Sequence, residues 1–335
     1  MGQTVVFKVS LDAGDVAIDE LEARPPHPPS HHFRDAMAAA LRDRHWRLAL
    51  LVCVALPASA AAITFVLTRG HWVSTAFLVA AALVTPVAAA RAGARPTQGE
   101  RRERAAWMAA TGASGAALSL TSLVGVLLLG SREGWGEDQA IPTLAVLALA
   151  GAAGAWLGFA LANRQRRWRR GAAAATALAI VLVPLGVSAA LVPETQTTEQ
   201  ITYHSFVATY AGGHPAFICK DQQVDVTRRH TEEVAWIAMM SPLAWVVDAP
   251  SFTPSALADA AQGSLAQSQA WARSTRVGPD AFVGYCYQAT SLGPPTAVKA
   301  ERYAKSGPIG AQLAAASALL CAAAAAVTVI RRKSA

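Results

Sequence analysis

Few residues in this chain are placed to do chemistry. Its four cysteines, Cys53, Cys219, Cys286 and Cys321, are the most reactive side chains. Cys219 and Cys286 lie in a segment rich in Thr, Gln, Pro and Gly. If that segment is exported, its oxidising surroundings favour a disulfide between them, with two free thiols as the alternative. Closing so long a loop contributes on the order of 4 kcal/mol in the chain-entropy model. Cys53 and Cys321 fall inside apolar runs and read as small apolar residues. His27, His31 and His32 crowd a Pro-rich stretch with no cysteine nearby, which fits a polar tail better than a metal site. His204, His214 and His230 lack helical ligand spacing. No Walker A, HExxH, CxxC or GxSxG pattern occurs. The expectation is a non-catalytic chain without cofactor or metal; any ATP hydrolysis must come from a partner.

The elements around these residues are apolar. Hydrophobic residues make up 53% of the chain and charged residues only 15%, against about 25% charged in soluble domains. Six stretches, roughly 48–68, 72–92, 106–129, 141–162, 171–192 and 309–330, approach the ~20 residues that a ~30 Å hydrocarbon layer requires. None holds an ionisable residue in its interior, and lipid forces such segments to be helical. Ion-coupled carriers need intramembrane relays, so their absence weighs towards an amphipathic cargo rather than a small ion, if cargo there is. Residues 1–30 are polar and lack the core of a cleavable leader, so the first apolar run is expected to remain as an anchor.

The net charge of +7 does not point to nucleic acid. The arginines flank apolar stretches instead of alternating with aromatics. Arg34, Arg42, Arg44 and Arg47 precede the first span. Arg91, Arg95, Arg101, Arg102 and Arg104 follow the second, and Arg164, Arg166, Arg167, Arg169 and Arg170 the fourth. Arg331, Arg332 and Lys333 follow the sixth, while the opposite short loops hold only Arg69 and Arg132. The positive-inside rule then places both termini of a multi-pass protein in the cytoplasm. Residues 193–307 become extracytoplasmic, since long loops escape that rule.

The expected fold is an all-α polytopic membrane protein with a disulfide-containing insert between the fifth and sixth helices. Its parts are a tail (1–32), an amphipathic helix with five spans (33–192), the external segment (193–307) and the last span with its basic end (308–335). In residues 33–46, Phe33, Met37, Ala40 and Leu41 share one helical face, which suits a helix on the inner membrane surface; a plain extension of the first span is the alternative. Thr195 to Phe206 alternates enough to be a strand. Val234 to Val247, broken by Pro242, is too short to span. It reads as a re-entrant or interfacial helix pair with Trp236 and Trp245 at headgroup depth, or equally as the core of an external domain. Gly151, Gly154 and Gly158 line one face of the fourth span, and Gly112, Gly115, Ser119 and Ser122 one face of the third, for tight bundles or dimers. Pro57, Pro86 and Pro184 are expected to bend their spans.

Taken together, the pattern resembles the permease subunits of ABC-2-type transporters in their actinobacterial form. The element order carries the resemblance, with the basic fourth-to-fifth junction LGFALANRQRRWRRGAAAATALAIVLV and the exit PETQTTEQITY. So do the stretch EEVAWIAMMSPLAWVVDAP, with cysteines on either side, and the last span GPIGAQLAAASALLCAAAAAVTVIRRK. It covers roughly residues 33–333; Ser241-Pro242 stands where Asn-Pro is common, and residues 1–32 have no counterpart. The resemblance implies a cytoplasmic ATP-binding subunit and a second permease half, forming a homo- or heterodimer in the lipid of a bacterial plasma membrane; from the charge pattern, no nucleic acid is expected as a partner. It implies a coupling loop around Pro96 to Arg104, with Arg101, Arg102, Glu103 and Arg104, and a connecting helix at 33–46. It also implies an external re-entrant element holding Trp236, Pro242, Trp245 and Asp248. The other reading is a membrane-bound sensor or assembly protein that binds a ligand or partner through residues 193–307. A membrane enzyme ranks third, for want of a clustered acid, base or metal set.

Overall fold

Apolar runs in lipid must satisfy their backbone amides internally, and here they do so as helices. The computed structural model describes residues 29–69, 72–95, 101–133, 135–162, 169–211, 214–253, 265–279, 282–284, 304 and 306–331. A short helix α1 (Pro29–Arg42) precedes α2 (Arg44–Thr68), α3 (Val73–Gly93) and α4 (Arg101–Leu118). Then come α5 (Leu123–Glu133), α6 (Glu137–Ala162) and α7 (Arg169–Leu191). A hairpin of β1 (Gln196–Ala211) and β2 (His214–Arg229) leads to α8 (Glu232–Ala238), α9 (Pro242–Asp248) and α10 (Leu265–Val277). Strand β3 (Phe282–Gly284) and helix α11 (Gly310–Arg331) complete the order.

Among the described residues, six helical stretches are long and apolar enough to cross a membrane: α2, α3, Arg101–Leu128, α6, Arg169–Thr195 and α11. This is the architecture of a multi-pass membrane protein, and the six match the six apolar runs of the sequence. The third is not one smooth helix. A 3-10 turn over Ser119–Ser122 separates α4 from α5. Ser119 Oγ donates to Ala116 O at 2.6 Å and Thr121 Oγ1 to Leu118 O at 2.6 Å; such back-bonding competes with the helical ladder and bends it.

Helices α3 and α6 form the centre, touching each other and most other spans. Their most apolar windows are 61% and 56% buried, against 11% for α2, 17% for the span of α7 and 22% for α11. The outer helices therefore turn large apolar side chains such as Leu51, Val66 and Leu319 outward. Small residues set the centre. A Cβ on Gly154 would meet the Pro86 carbonyl, one on Gly158 the Ala90 carbonyl, and one on Gly151 the Gly115 carbonyl. The glycine faces thus pack α6 on α3 and α4 within the chain. The helices run on through Pro57, Pro86 and Pro184.

Residues 193–307 correct the all-α expectation. Every residue from Gln196 to Ala211 pairs antiparallel with β2, from Gln196↔Arg229 to Ala211↔His214. Gly212 and Gly213 lie between the strands in the sequence, outside the described residues. Sixteen residues per strand give a ribbon roughly 50 Å long. Strand β3 joins in parallel, Thr202↔Phe282 to His204↔Gly284, in the order β2-β1-β3.

The Cys219–Cys286 disulfide gains no support from this arrangement. No disulfide occurs among the described residues; Cys219 lies on β2, and Cys286 lies outside them. Cys53 and Cys321 are free thiols within spans. His27, His204 and His214 also fall where no side chain is described.

Candidate functional site

Two ends of the bundle carry the polar residues. At one end the basic helix termini gather. Asp43 separates α1 from α2: its extended backbone interrupts the helix, and its side chain accepts from His45 N at 3.0 Å. The expected 33–46 helix is thus split at Asp43: residues 33–42 belong to the separate helix α1, and residues 44–46 already belong to the first span, α2. Its inner stripe is Ala36 and Ala40, packed towards α4, with Ser114 Oγ donating to Met37 Sδ at 3.3 Å. Phe33 points outward, one step off the expected face. Arg95 closes this end, pairing with Asp43 at 3.2 Å and lying 5.2 Å over the Trp107 ring. Arg101, Arg102 and Glu103 are exposed in the first turn of α4, whereas Arg104 is only 8% exposed. These four residues are thus the start of a span; residues 96–100 lie outside the described ones.

At the opposite end a broken helix closes the bundle. Ser241 makes the break: its backbone is extended, its Oγ accepts from Leu243 N at 3.3 Å and donates to Val181 O of α7 at 2.7 Å. Pro242 follows as the first residue of α9, where a missing N–H costs nothing. α9 then enters the same hydrophobic core as the spans. Trp245, Val246 and Ala249 pack with Phe77, Leu78 and Ala81 of α3, Val126 of α5, Val146 and Leu147 of α6 and Ala314 of α11. The run thus shares the core of the spans and does not form one of its own. The two tryptophans diverge: Trp236 is 59% exposed, but Trp245 is 4% exposed and donates from Nε1 to Met239 O at 2.6 Å.

Asp248 ends α9 fully buried. Its Oδ2 accepts from Arg276 Nη1 at 2.9 Å, Ile309 N at 2.7 Å and Gly310 N at 3.1 Å, and its Oδ1 accepts from Arg276 Nη2 at 2.9 Å. One carboxylate therefore fastens α9 to α10 and caps the first turn of α11. Such charge-assisted, bidentate pairs are the strong ones. Arg276 Nη2 also reaches Ser306 O at 3.2 Å and Gly307 O at 3.3 Å. Close behind, Arg273 is 2% exposed; burial lowers its pKa from the ordinary value, Asp248 opposes this and Arg276 adds to it. Gln269 Nε2 donates to Pro250 O at 2.6 Å.

Sequence reasoning singled out Asp248 but not its partners. Gln269, Arg273 and Arg276 lie at i, i+4 and i+7, one face of α10, and that spacing was the available signal. Nothing in the sequence linked that face to an aspartate 28 residues earlier.

The root of the hairpin holds the one described histidine ion pair outside the spans. His230 Nδ1 lies 2.7 Å from Glu232 Oε1 and Nε2 lies 2.7 Å from Glu199 Oε1. The hydrogen bond to Glu232, helped by the Glu199 charge, raises its pKa above the ordinary 6.5 against opposing desolvation. A raised folded-state pKa contributes stability below pH 6.5 that is lost as pH climbs through the raised value. The protection of the amides at 196–201 and 230–235, after correction for the intrinsic rise of exchange with pH, is expected to fall over that rise, and His230→Gln to abolish the fall. Protection that stays level with pH in the native chain would remove this role.

Among the described residues no group of three or more His, Cys, Asp or Glu is arranged to hold a metal ion. No family model matches the chain, and neither does any curated protein or solved structure.

Proposed function

We propose that the chain is the membrane subunit of an ABC-2-like exporter, energised by a separate ATP-binding subunit and working with a second permease half. The observation that carries this reading is α9, a broken helix wedged into the spans' core at the end opposite the basic termini. Exposed Arg101, Arg102 and Glu103 offer the ATP-binding subunit a docking edge. Force applied there travels along α4, across the bend at Ser119–Ser122, to Val126 of α5, which shares a core with Trp245 and Val246. Moving α5 against α9 would open the far end. The basic end faces the cytoplasm of the plasma membrane, as do both termini. The cargo is amphipathic, since no charge interrupts the spans' interiors.

Affinity purification of the full chain in mild detergent tests this. A soluble Walker A ATPase should stay bound, and replacing both Arg101 and Arg102 with Ala should cut its retention about tenfold, from about 1 kcal/mol or a little less per exposed charge. Arg104 is kept, because it is buried. An ATPase retained equally by the variant would move the docking edge elsewhere, and no ATPase at all would end the exporter reading. The second reading, a sensor or assembly protein, rests on the long β1–β2 ribbon. It takes over if an envelope or signalling protein is held instead and is lost on deleting residues 200–225.

A further inference from the structure

A cleft of about 300 Å³ opens between α2, α3 and α7, a size typical of small-ligand sites. Its walls are apolar: Leu48, Val52 and Leu56 from α2, Leu83 and Val87 from α3, and Leu178 from α7. Its mouth is cationic. His45 and Arg91 line it, and Arg170 of α7 reaches His45 through its guanidinium. The nearest acid, Asp43, is engaged by Arg95 at 3.2 Å.

Position identifies what fits. The stretch from His45 to Leu56 rises about 16 Å along α2, roughly half of a ~30 Å hydrocarbon layer. The cleft therefore runs one leaflet deep, from the basic helix ends towards the middle of the bundle. Leu48, Leu56 and Leu178 are each 40% exposed or more, so it faces outward from the bundle and not into its core. An apolar slot of this depth, closed at its polar end by cations, matches one acyl chain below an anionic headgroup.

We propose that this cleft binds a phospholipid with an anionic headgroup, its phosphate on Arg91 and Arg170 and an acyl chain between α2, α3 and α7. The site stands whether or not the chain is a transporter.

Native mass spectrometry of the detergent-purified full chain tests it, with phosphatidylglycerol and phosphatidylcholine titrated in parallel. The native chain should retain phosphatidylglycerol in preference. Arg91→Gln and Arg170→Gln together should weaken it about 25-fold, about fivefold for each cation near a lipid headgroup. Val84 of α3 also lines the cleft; Val84→Trp, which fills the slot, should remove binding while leaving the arginines in place. Should Val84→Trp not fold, photocrosslinking of a diazirine-acyl phosphatidylglycerol to the native chain decides, with label expected on α2 and α7 around Val52 and Leu178. Equal retention of the two lipids, retention unaffected by the arginine changes, or label spread over all outer helices would each overturn the proposal. So would binding of inorganic phosphate alone at the same arginines, or a second copy of the chain occupying the cleft.

Discussion

Asp248→Ala is expected to destabilise the protein by about 3–5 kcal/mol, the cost of breaking a buried ion pair by removing one partner. Arg276 would lose both its 2.9 Å bonds, and the amides of Ile309 and Gly310 their acceptor. Arg273, already at 2% exposure, would face Arg276 without the neighbouring anion. The damage should be local at first. Asp248 ties α9 to the start of α11, so amide exchange should rise at 242–249 and 309–314 before the rest of the bundle. Asp248→Asn, which keeps an oxygen for the two amides but drops the charge, should fall between. Arg276→Ala should cost a similar amount to Asp248→Ala, and the double variant less than their sum, because both remove the same pair. Equilibrium unfolding in mixed micelles, followed by tryptophan fluorescence, measures all four. Loss of less than about 1 kcal/mol in Asp248→Ala would show that the pair is as weak as an exposed one.

The second large effect is expected at the centre. Gly154→Leu and Gly158→Leu should each cost about 1–3 kcal/mol or more by overpacking. The obstacle is the backbone of α3: the Pro86 carbonyl at one position and the Ala90 carbonyl at the other. A side chain could rotate away; a carbonyl moves only with its helix. Both substitutions wedge the same contact, so their costs should not add. Gly171 and Gly186, in α7, are the controls, since nothing lies within 4 Å of a Cβ there. Changing either to Ala should be neutral or stabilising by up to ~1 kcal/mol through helix propensity. Light scattering of the same samples separates two roles. Unfolding without loss of oligomer size marks packing within the chain, whereas a folded protein of halved mass would make the Gly154–Gly158 pattern a dimer contact.

Much of this molecule is legible one segment at a time. Lipid imposes its demands locally: ~20 apolar residues, no charge within them and arginines at one set of ends. A linear reading therefore located the six long helices found among the described residues, most of α1 and most of β1. The break at Pro242 was also visible, because a proline starts a helix more readily than it continues one.

What only the tertiary structure decided are the pairings. A stripe of small residues declares that something comes close but not what; here Gly154 and Gly158 meet α3 of the same chain. An apolar fourteen-residue run is the same string whatever it packs against; here it joins the core that holds Phe77, Val146 and Ala314. Two cysteines in one polar segment permit a disulfide on paper, but none occurs among the described residues. Asp248 and Arg276 are each ordinary charges in the sequence. Folding takes both out of water, where their attraction is no longer screened and neither is stable without the other.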